Sequence, residues 1–277
     1  MSALVGGLKR LLVNFFIARE TRERRENLNL FFVSFACFAG KTLMKKFLTA
    51  KWLDLVMANY AVEPQILQES VPPGTELDLF EGKCFVSLVA FMFRDTRVLG
   101  VPVPFHINFE EVNLRFYVKR ETGNELKHGV VFIKEIVPRF AIAFVARTIY
   151  GEPYECWNMS HAKSTKEIGY DWQKGDCKNS VKVEIGNNLG VPAENSEGEF
   201  IIEHYWGYTK RGENRTDEYK VEHPKWNLFE TKNQQINVDF GTTYGEKFAF
   251  LSKEKPQSVL LAEGSEIAVF KGAKLKI

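Results

Sequence analysis

A chain of 277 residues with 45% hydrophobic and 26% charged side chains can bury one large core or two modest ones, and this composition excludes a disordered, collagenous or disulfide-scaffold protein. The net charge of +2 hides a division: Met1 to Lys46 carries nine Lys and Arg against three Glu, which leaves 28 basic and 32 acidic residues beyond it. A mildly acidic body is no nucleic-acid face, which would want a basic stripe interleaved with aromatics.

The N-terminal segment reads as an extension, residues 1–43, with the domain proper spanning 44–277. Arg19 to Glu26 is a charge run and Leu28 to Ala39 an apolar run closed by Lys41, Lys45 and Lys46. That run falls short of the roughly 20 apolar residues that a membrane span needs. A secretory leader would lack the long flank that mixes Glu with Arg. No stable span is expected. Lys9, Arg10 and Arg19, set among Leu, Phe and Ile, leave a membrane-peripheral amphipathic segment open.

From Phe47 the segments are short and densely punctuated. Trp52 to Val62 predicts a strand, and Pro64 starts a brief helix that ends before the turn at Pro72, Pro73 and Gly74. Cys84 to Phe93 is apolar on both faces, as a central strand is, while Phe109 to Lys119 alternates and so has one face in and one out. A turn over Glu121 to Leu126 leads to His128–Val137, the second arm of a hairpin. Pro138, which suits a first helical position, opens a helix carrying Phe140, Phe144, Val145 and Ile149, and Gly151 stops it. Pro153 prevents it resuming, and Tyr154 to Met159 reads as one strand.

Further on, Glu167–Gln173 and Ser180–Ile185 form a hairpin about Lys174, Gly175 and Asp176, and residues 186–198 are loop-like. Glu199–Tyr205 predicts a short buried helix, followed by strands at Trp206–Lys210 and Glu218–His223. Asn237–Tyr244 reads as a helix ending at Gly245, with final strands at Phe248–Leu251 and Ser258–Phe270. The aromatic share of 13%, led by 23 Phe, favours strands around a bulky, hollow apolar interior. The expectation is a mainly β, α+β domain of twisted antiparallel sheet with a few helices. Cys37, Cys84, Cys156 and Cys177 contain no C-x-x-C pair, which fits buried thiols in a reducing, cytoplasmic setting.

Four phrases, PPGTELDLFEGKCFVSLVAFMF, NFEEVNLRFYV, GVVFIKEIVPRFAIAFVARTIYGEPY and EHYWGYTKRGENRTDEYKVEHPKW, stand in order over most of 44–277. Together they closely resemble the YqjF-like family of uncharacterised bacterial proteins. That family is similar to the acetoacetate decarboxylase superfamily, which implies an antiparallel sheet curled into a cone or barrel around an apolar cavity. In the decarboxylases a phrase like R-E-x-W-G-F-P-K-K carries two adjacent lysines. The first forms a Schiff base with the keto substrate, and the second lowers its pKa. The corresponding phrase here is RTIYGEPYE: Arg147, Gly151 and Pro153 keep the frame, and Tyr154 and Glu155 stand where the lysines would be. A phenol and a carboxylate form no imine, so the inherited mechanism is excluded at these positions. Glu111, in FEEV, fits the decarboxylases' glutamate on the strand entering the cavity.

The residues themselves suggest other candidates. Lys134 lies mid-strand in VVFIKEIV, where alternation puts Val130, Phe132 and Ile136 on its face; it reads as an amine nucleophile, a carboxylate clamp, one half of an ion pair with Glu111 or Glu135, or a stem that snorkels to solvent. Arg115 shares a face with Glu111 and Asn113 and could hold an anion bidentately, or pair with a glutamate. His204, flanked by Glu203, Tyr205 and Trp206, could do acid–base work or sit in the core on a neighbouring carbonyl. The five histidines are scattered, so no metal site is legible, and the absence of a phosphate loop, a G-x-S-x-G turn or a dinucleotide fingerprint points to no cofactor.

Two functions follow. One is a binder of a small apolar or carboxylate ligand, anchored by Arg115 or Lys134 with Tyr154 at its rim and Glu155, Arg147 and Tyr205 around it. The alternative is an enzyme acting on a keto acid or related carbonyl compound, with Lys134, or Glu111 and His204, in the catalytic roles. Exposed sheet edges leave a homodimer open.

Overall fold

The computed structural model describes residues 46–102, 105–123, 125–145 and 151–275. The extension at 1–43, Ile149 and Arg147 lie outside them. Fifteen strands of the described residues join one sheet. In chain order they begin with β1 (Lys46–Val62), β2 (Glu76–Leu77), β3 (Cys84–Val98), β4 (Val101–Pro102), β5 (Phe109–Thr122) and β6 (Glu125–Val137). After helix α1 (Phe140–Val145) come β7 (Tyr154–Cys156), β8 (Asn158–Lys163), β9 (Glu167–Lys174) and β10 (Cys177–Gly190). Helix α2 (Glu197–Ile202) precedes β11 (Trp206–Gly212), β12 (Arg215–Glu222) and β13 (Leu228–Asn237). Helix α3 (Phe240–Tyr244), β14 (Ser258–Phe270) and β15 (Ala273–Lys274) complete the order.

The sheet curls back on itself. Its path runs β12–β11–β6–β5–β3–β1–β14, and β12 pairs again with β14, Val221 opposite Val269 and Glu222 opposite Ala268. Beyond β14 the sheet continues through β13, β10 and β9 to β8 as a wing. Strand β3 is central, as its two-faced apolarity required: Cys84 to Phe93 are all buried, between β1 on one side and β5 on the other.

Strand alternation sorts these apolar residues into two cores. Val56, Ala58 and Tyr60 of β1, Val86 and Leu88 of β3, and Val112, Leu114 and Phe116 of β5 pack with Tyr170, Trp172, Val181 and Val183 of the wing. On the opposite face, Leu55, Met57, Phe85, Val89, Phe91, Phe109 and Tyr117 pack with Ile201 and Ile202 of α2, and with Trp226. A polar chain crosses this second face. Ser87 donates to Asn59 Oδ1 at 2.6 Å and lies 2.7 Å from the Tyr117 hydroxyl, while Asn59 Nδ2 donates to Ser258 Oγ at 2.9 Å. Ser258 in turn donates to the Glu197 carboxylate on α2. Four neighbouring strands and a helix thus share one hydrogen-bonded chain, which satisfies buried polar groups that would otherwise be costly.

Several elements differ from expectation. The segment Tyr154–Met159 is two strands, because Trp157 turns into the first core and its N–H bonds Val137 O at 3.1 Å, after which the chain leaves β6 to pair with β9. The segment around Phe248–Leu251 is a 3₁₀ helix, Glu246–Ser252; its buried Phe248 and Leu251, three apart, share one side at that pitch. The helix expected after Pro64 is two 3₁₀ turns, Pro64–Ile66 and Gln68–Ser70. Strand β10 runs on to Gly190, into residues read as loop, and β13 went unread because its middle is polar and exposed. Helix α1 starts at Phe140, two residues after Pro138.

Gly264 marks a tight point in the β1–β14 pairing. It has φ +80° and faces Leu53, and a Cβ there would stand 1.9 Å from Trp52 O, beside a register shift at Leu53 where Asp54 takes φ 61°. Both the left-handed backbone and the backbone contact bar a side chain. Gly264→Ala is therefore expected to destabilise the chain by about 2 kcal/mol or more. Urea unfolding would show this as a lower midpoint at unchanged slope; an unshifted midpoint would contradict the packing described.

Candidate functional site

Strands β5 and β6 build the site, and a bulge in their pairing decides what faces it. Asn113 pairs with Glu135 and Leu114 with Lys134, but Arg115 pairs with Phe132, so Ile133 is an extra residue on β6. Beyond it the alternation inverts. Val130 and Phe132 belong to the second core, whereas Lys134 and Ile136 lie on the first-core side with Leu114 and Val112. The strict alternation expected for VVFIKEIV therefore fails. Glu135, not Lys134, joins Glu111, Asn113 and Arg115 on the second face.

Three glutamates meet there, and all are buried: Glu111 and Glu135 at 3% exposure, Glu152 at 7%. Strand β7 lies parallel to β6 with Tyr154 beside Glu135, and Glu135 N bonds Pro153 O at 3.1 Å. This fixes the Tyr154 hydroxyl, which donates to Glu111 Oε2 at 3.0 Å, while Asn113 Nδ2 donates to Glu111 Oε1 at 3.1 Å. Glu152 accepts hydrogen bonds from Thr209 on β11 and Tyr219 on β12. Glycine makes room for this arrangement twice. A Cβ on Gly207 would meet the Tyr219 ring at 2.1 Å, and one on Gly151 would coincide with the Arg211 guanidinium at 0.9 Å.

Burial governs the ionisation of these groups. It lifts Glu111 to about 7, against the hydrogen bonds from Asn113 and Tyr154 and the charge of Arg115. Burial also raises Glu152 to about 7, against Thr209, Tyr219 and Arg211. Glu135 is driven well above the ordinary carboxylate range by burial and by the charges of Glu152 and Glu111. The Tyr154 and Tyr219 phenols are raised too, by burial and by the neighbouring glutamates. Near neutral pH the cluster is thus an array of protonated or half-ionised acids. Three buried polar atoms on these strands have no hydrogen-bond partner: Asn113 Oδ1, Arg115 Nε and Glu135 Oε2. Arg115 uses its terminal nitrogen on Ile201 O at 3.1 Å, which leaves Nε spare.

A second polar group lies further along β5. Asp78, just after β2, bonds through its N–H to Tyr117 O at 3.0 Å, and its carboxylate sits 2.5 Å from His128 Nδ1 and 3.5 Å from His204 Nε2. The His204 ring packs against Tyr117 at 4.7 Å between centroids and against Phe200 at 5.2 Å. Burial lowers the His204 pKa to about 4, and its Asp78 bond raises that of His128. Burial opposes ionisation of Asp78, yet the two imidazoles hold its pKa well below the usual range.

Of the residues singled out in the sequence, the structure brings Glu111, Tyr154 and Arg115 together. Lys134 and Glu155 are on the other face, bonded to each other at 2.8 Å, with Lys174 and the Trp157 indole also on Glu155 at 2.9 Å. Lys134 thus has an ionic partner, and it is Glu155 rather than Glu111 or Glu135. Although partial burial acts the other way, Lys134, Trp157 and Lys174 hold the Glu155 carboxyl down to about 2. His204 belongs with Asp78 and His128. Tyr205 donates to Glu203 and stacks on His223 at 4.8 Å. Glu152 and Tyr219 escaped sequence reading, and Glu135 was read only as a counter-charge for Lys134. A carboxylate in mid-strand, flanked by apolar residues as in IKEIV, was the available signal for Glu135.

Comparison with known proteins bears on the fold and the family. A 27% identical relative, over 218 residues that cover 76% of this chain and 88% of the other, is the "Uncharacterized protein YqjF" of Bacillus subtilis (strain 168). Acetoacetate decarboxylase from Legionella pneumophila superposes with a TM-score of 0.58 at 12% identity, over 87% of this chain and 93% of its own. The enduracididine biosynthesis enzyme MppR with HEPES buffer bound gives 0.59 at 12% identity, over 84% and 89%, and the same enzyme complexed with pyruvate gives 0.54 at 10% identity, over 85% and 92%. The fold is therefore that of the acetoacetate decarboxylases. The DUF2071 family, described as "Uncharacterized conserved protein", matches residues 49–266, and the chain belongs to it.

Proposed function

We propose that this chain binds a small keto acid or related carbonyl compound against Glu111, Asn113, Arg115, Glu135 and Tyr154, and transfers protons to and from it without forming an imine. One observation carries the reading: three partnerless buried polar atoms, Asn113 Oδ1, Arg115 Nε and Glu135 Oε2, lie among acids whose ionisation is balanced near neutral pH. Buried polar atoms are satisfied in most proteins, and unsatisfied ones on three residues of one sheet face suit a ligand that supplies the partners. An apolar ligand would leave all three unsatisfied. MppR, which shares the fold, has been seen with pyruvate, a compound of this class.

The roles follow from protonation. Arg115 is the cation for a substrate carboxylate. Glu111, half-ionised near pH 7, takes the proton from the carbon next to the carbonyl, and protonated Glu135 gives its proton to the carbonyl oxygen as the enol forms. Return of both protons regenerates the keto form, so the residues balance over a cycle. Lys134 has no part, since Glu155 occupies its amine. Binding alone would not call for acids poised at neutrality. The free thiols of Cys84, Cys156 and Cys177 support a reducing, cytoplasmic setting, and no helix of the described residues is long and apolar enough to cross a membrane.

Three measurements test this. Proton NMR of a panel of 2-keto acids in deuterated buffer should show protein-catalysed exchange beside the carbonyl, reduced about 100-fold or more in Glu111→Gln. A wild-type chain inert across the panel, or an unaffected variant, would sink the mechanism. Calorimetry should give Arg115→Met a Kd for keto acids raised at least about 10-fold, with uncharged ketones unchanged; equal losses for both would remove Arg115 as the carboxylate anchor.

The third concerns stability. From the ordinary carboxyl value of 4.5 up to about 7, folded Glu111 and Glu152 retain protons that the unfolded chain has released. Stability must then fall as pH rises through that window, on the order of a few kcal/mol in all. Thermal unfolding between pH about 5 and 8 should show this decline, and Glu152→Gln, neutral throughout, should flatten it. A Tm that is level over the range would show that the acids are not buried together.

A further inference from the structure

We infer that Asp78, His128 and His204 form a binding site for one divalent transition-metal ion, a site separate from the carboxyl cluster. Each residue offers one donor atom, and the three donors lie within 4.8 Å of one another. They come from three distant parts of the chain: the residue following β2, the middle of β6 and the residue two places past α2. Two imidazoles and one carboxylate suit zinc, cobalt or ferrous iron, and leave further coordination positions for water or a ligand; magnesium and calcium prefer oxygen donors alone.

An independent observation points the same way. His204 is buried, its side chain only 3% exposed, yet neither of its ring nitrogens has a hydrogen-bond partner. A histidine kept in the core for structure would bond a carbonyl, a hydroxyl or a carboxylate through at least one nitrogen. This one instead directs Nε2 toward Asp78 Oδ2 at 3.5 Å, the outer limit of a hydrogen bond and a weak attraction at most. The ring is held there by Tyr117 and Phe200, so its orientation does not depend on Asp78. Tyr117 is itself fixed by Ser87, which stiffens the support behind the ligand.

Access and charge also fit. The His128 side chain is 44% exposed, which opens the site to solvent on one side while Asp78 and His204 line its buried side. Arg115 and Lys119 lie near enough to be felt by the two histidines, but Arg115 is bonded to Ile201 O and Lys119 to Glu76 at 3.2 Å. Asp78 is the one negatively charged donor among the three. A metal would take over the carboxylate and Nδ1 now in contact between Asp78 and His128, with the proton between them released to solvent. Tyr117, which anchors Asp78, is six residues along β5 from Glu111, or about 20 Å at the rise of a strand, with Arg115 between the two sites and felt by His204.

The test uses the full chain, stripped with a chelator and dialysed. Titration calorimetry with Zn²⁺ should give one site per chain, and Co²⁺ should give visible d–d absorption bands that Zn²⁺ abolishes. His128→Ala, an exposed position that fills no core, and Asp78→Asn should each weaken Zn²⁺ by more than about 100-fold, beyond what loss of a mere supporting residue costs. Circular dichroism confirms that each variant is folded. His161→Ala, whose ring is paired with Glu110 elsewhere, should bind Zn²⁺ as the wild type does. Absence of a stoichiometric site, or a site that survives both ligand substitutions, would overturn the inference.

Discussion

The pairing of β5 with β6, and the one extra residue in it, is the constraint on which the rest of the site depends. A strand presents alternate residues to opposite faces, so a single inserted residue exchanges the faces of everything beyond it. Ile133 is that residue. On one side of it Val130 and Phe132 pack in the second core; on the other, Glu135 takes the same face and Lys134 the opposite one. Without the bulge the lysine would stand among the acids and form salt bridges there. With it, the acids are left without a lysine, and their protonation becomes the means by which they are tolerated.

That tolerance is limited. Three carboxyls at 3 to 7% exposure cannot all ionise beside one another, because burial and mutual repulsion act in the same direction. The chain offsets part of the cost with donors placed by neighbouring strands: Tyr154 on β7, Thr209 on β11, Tyr219 on β12. The donors do not suffice, as the partnerless Glu135 Oε2 shows. A fold selected for stability alone would fill this place with apolar side chains, as it does through β3. The residual polar mismatch is the feature on which the proposed ligand site rests.

Much of the architecture was legible in the sequence because its signals are local. The apolar run at Cys84–Phe93 gave the central strand, alternation gave β5, and Gly245 closed α3. Glu111, Tyr154 and Arg115, which the structure brings together, could be singled out because alternation along one strand and a phrase-level resemblance both mark single positions. What stayed hidden depends on contacts between segments. The bulge at Ile133 leaves no mark on composition, so Lys134 was assigned the face that belongs to Glu135. Strand β13 has an exposed polar middle, and no periodic pattern reveals a strand held mainly by its neighbours' backbone. Asp78, His128 and His204 meet because β2 and β6 both pair with β5 while the His204 ring packs on Tyr117 of β5, which spacing along the chain cannot show.

The exchange of two lysines for Tyr154 and Glu155 is then more than the loss of an inherited mechanism. Adjacent residues on β7 point to opposite faces, so the two replacements act on different surroundings. Tyr154 places a neutral donor against Glu111 where a cation would have ionised that acid. Glu155 gathers Lys134 and Lys174 on the far face, where the bulge has already placed the Lys134 amine. Both changes withdraw positive charge from the acids and raise their proton affinity. A site arranged for an amine nucleophile needs carboxylates ionised and a lysine deprotonated; this one arranges the reverse, carboxyls holding protons and no free amine among them. The two replacements act in one direction, each leaving the buried carboxyls without a cation beside them, and that charge balance suits the proton transfer proposed for this site better than imine formation.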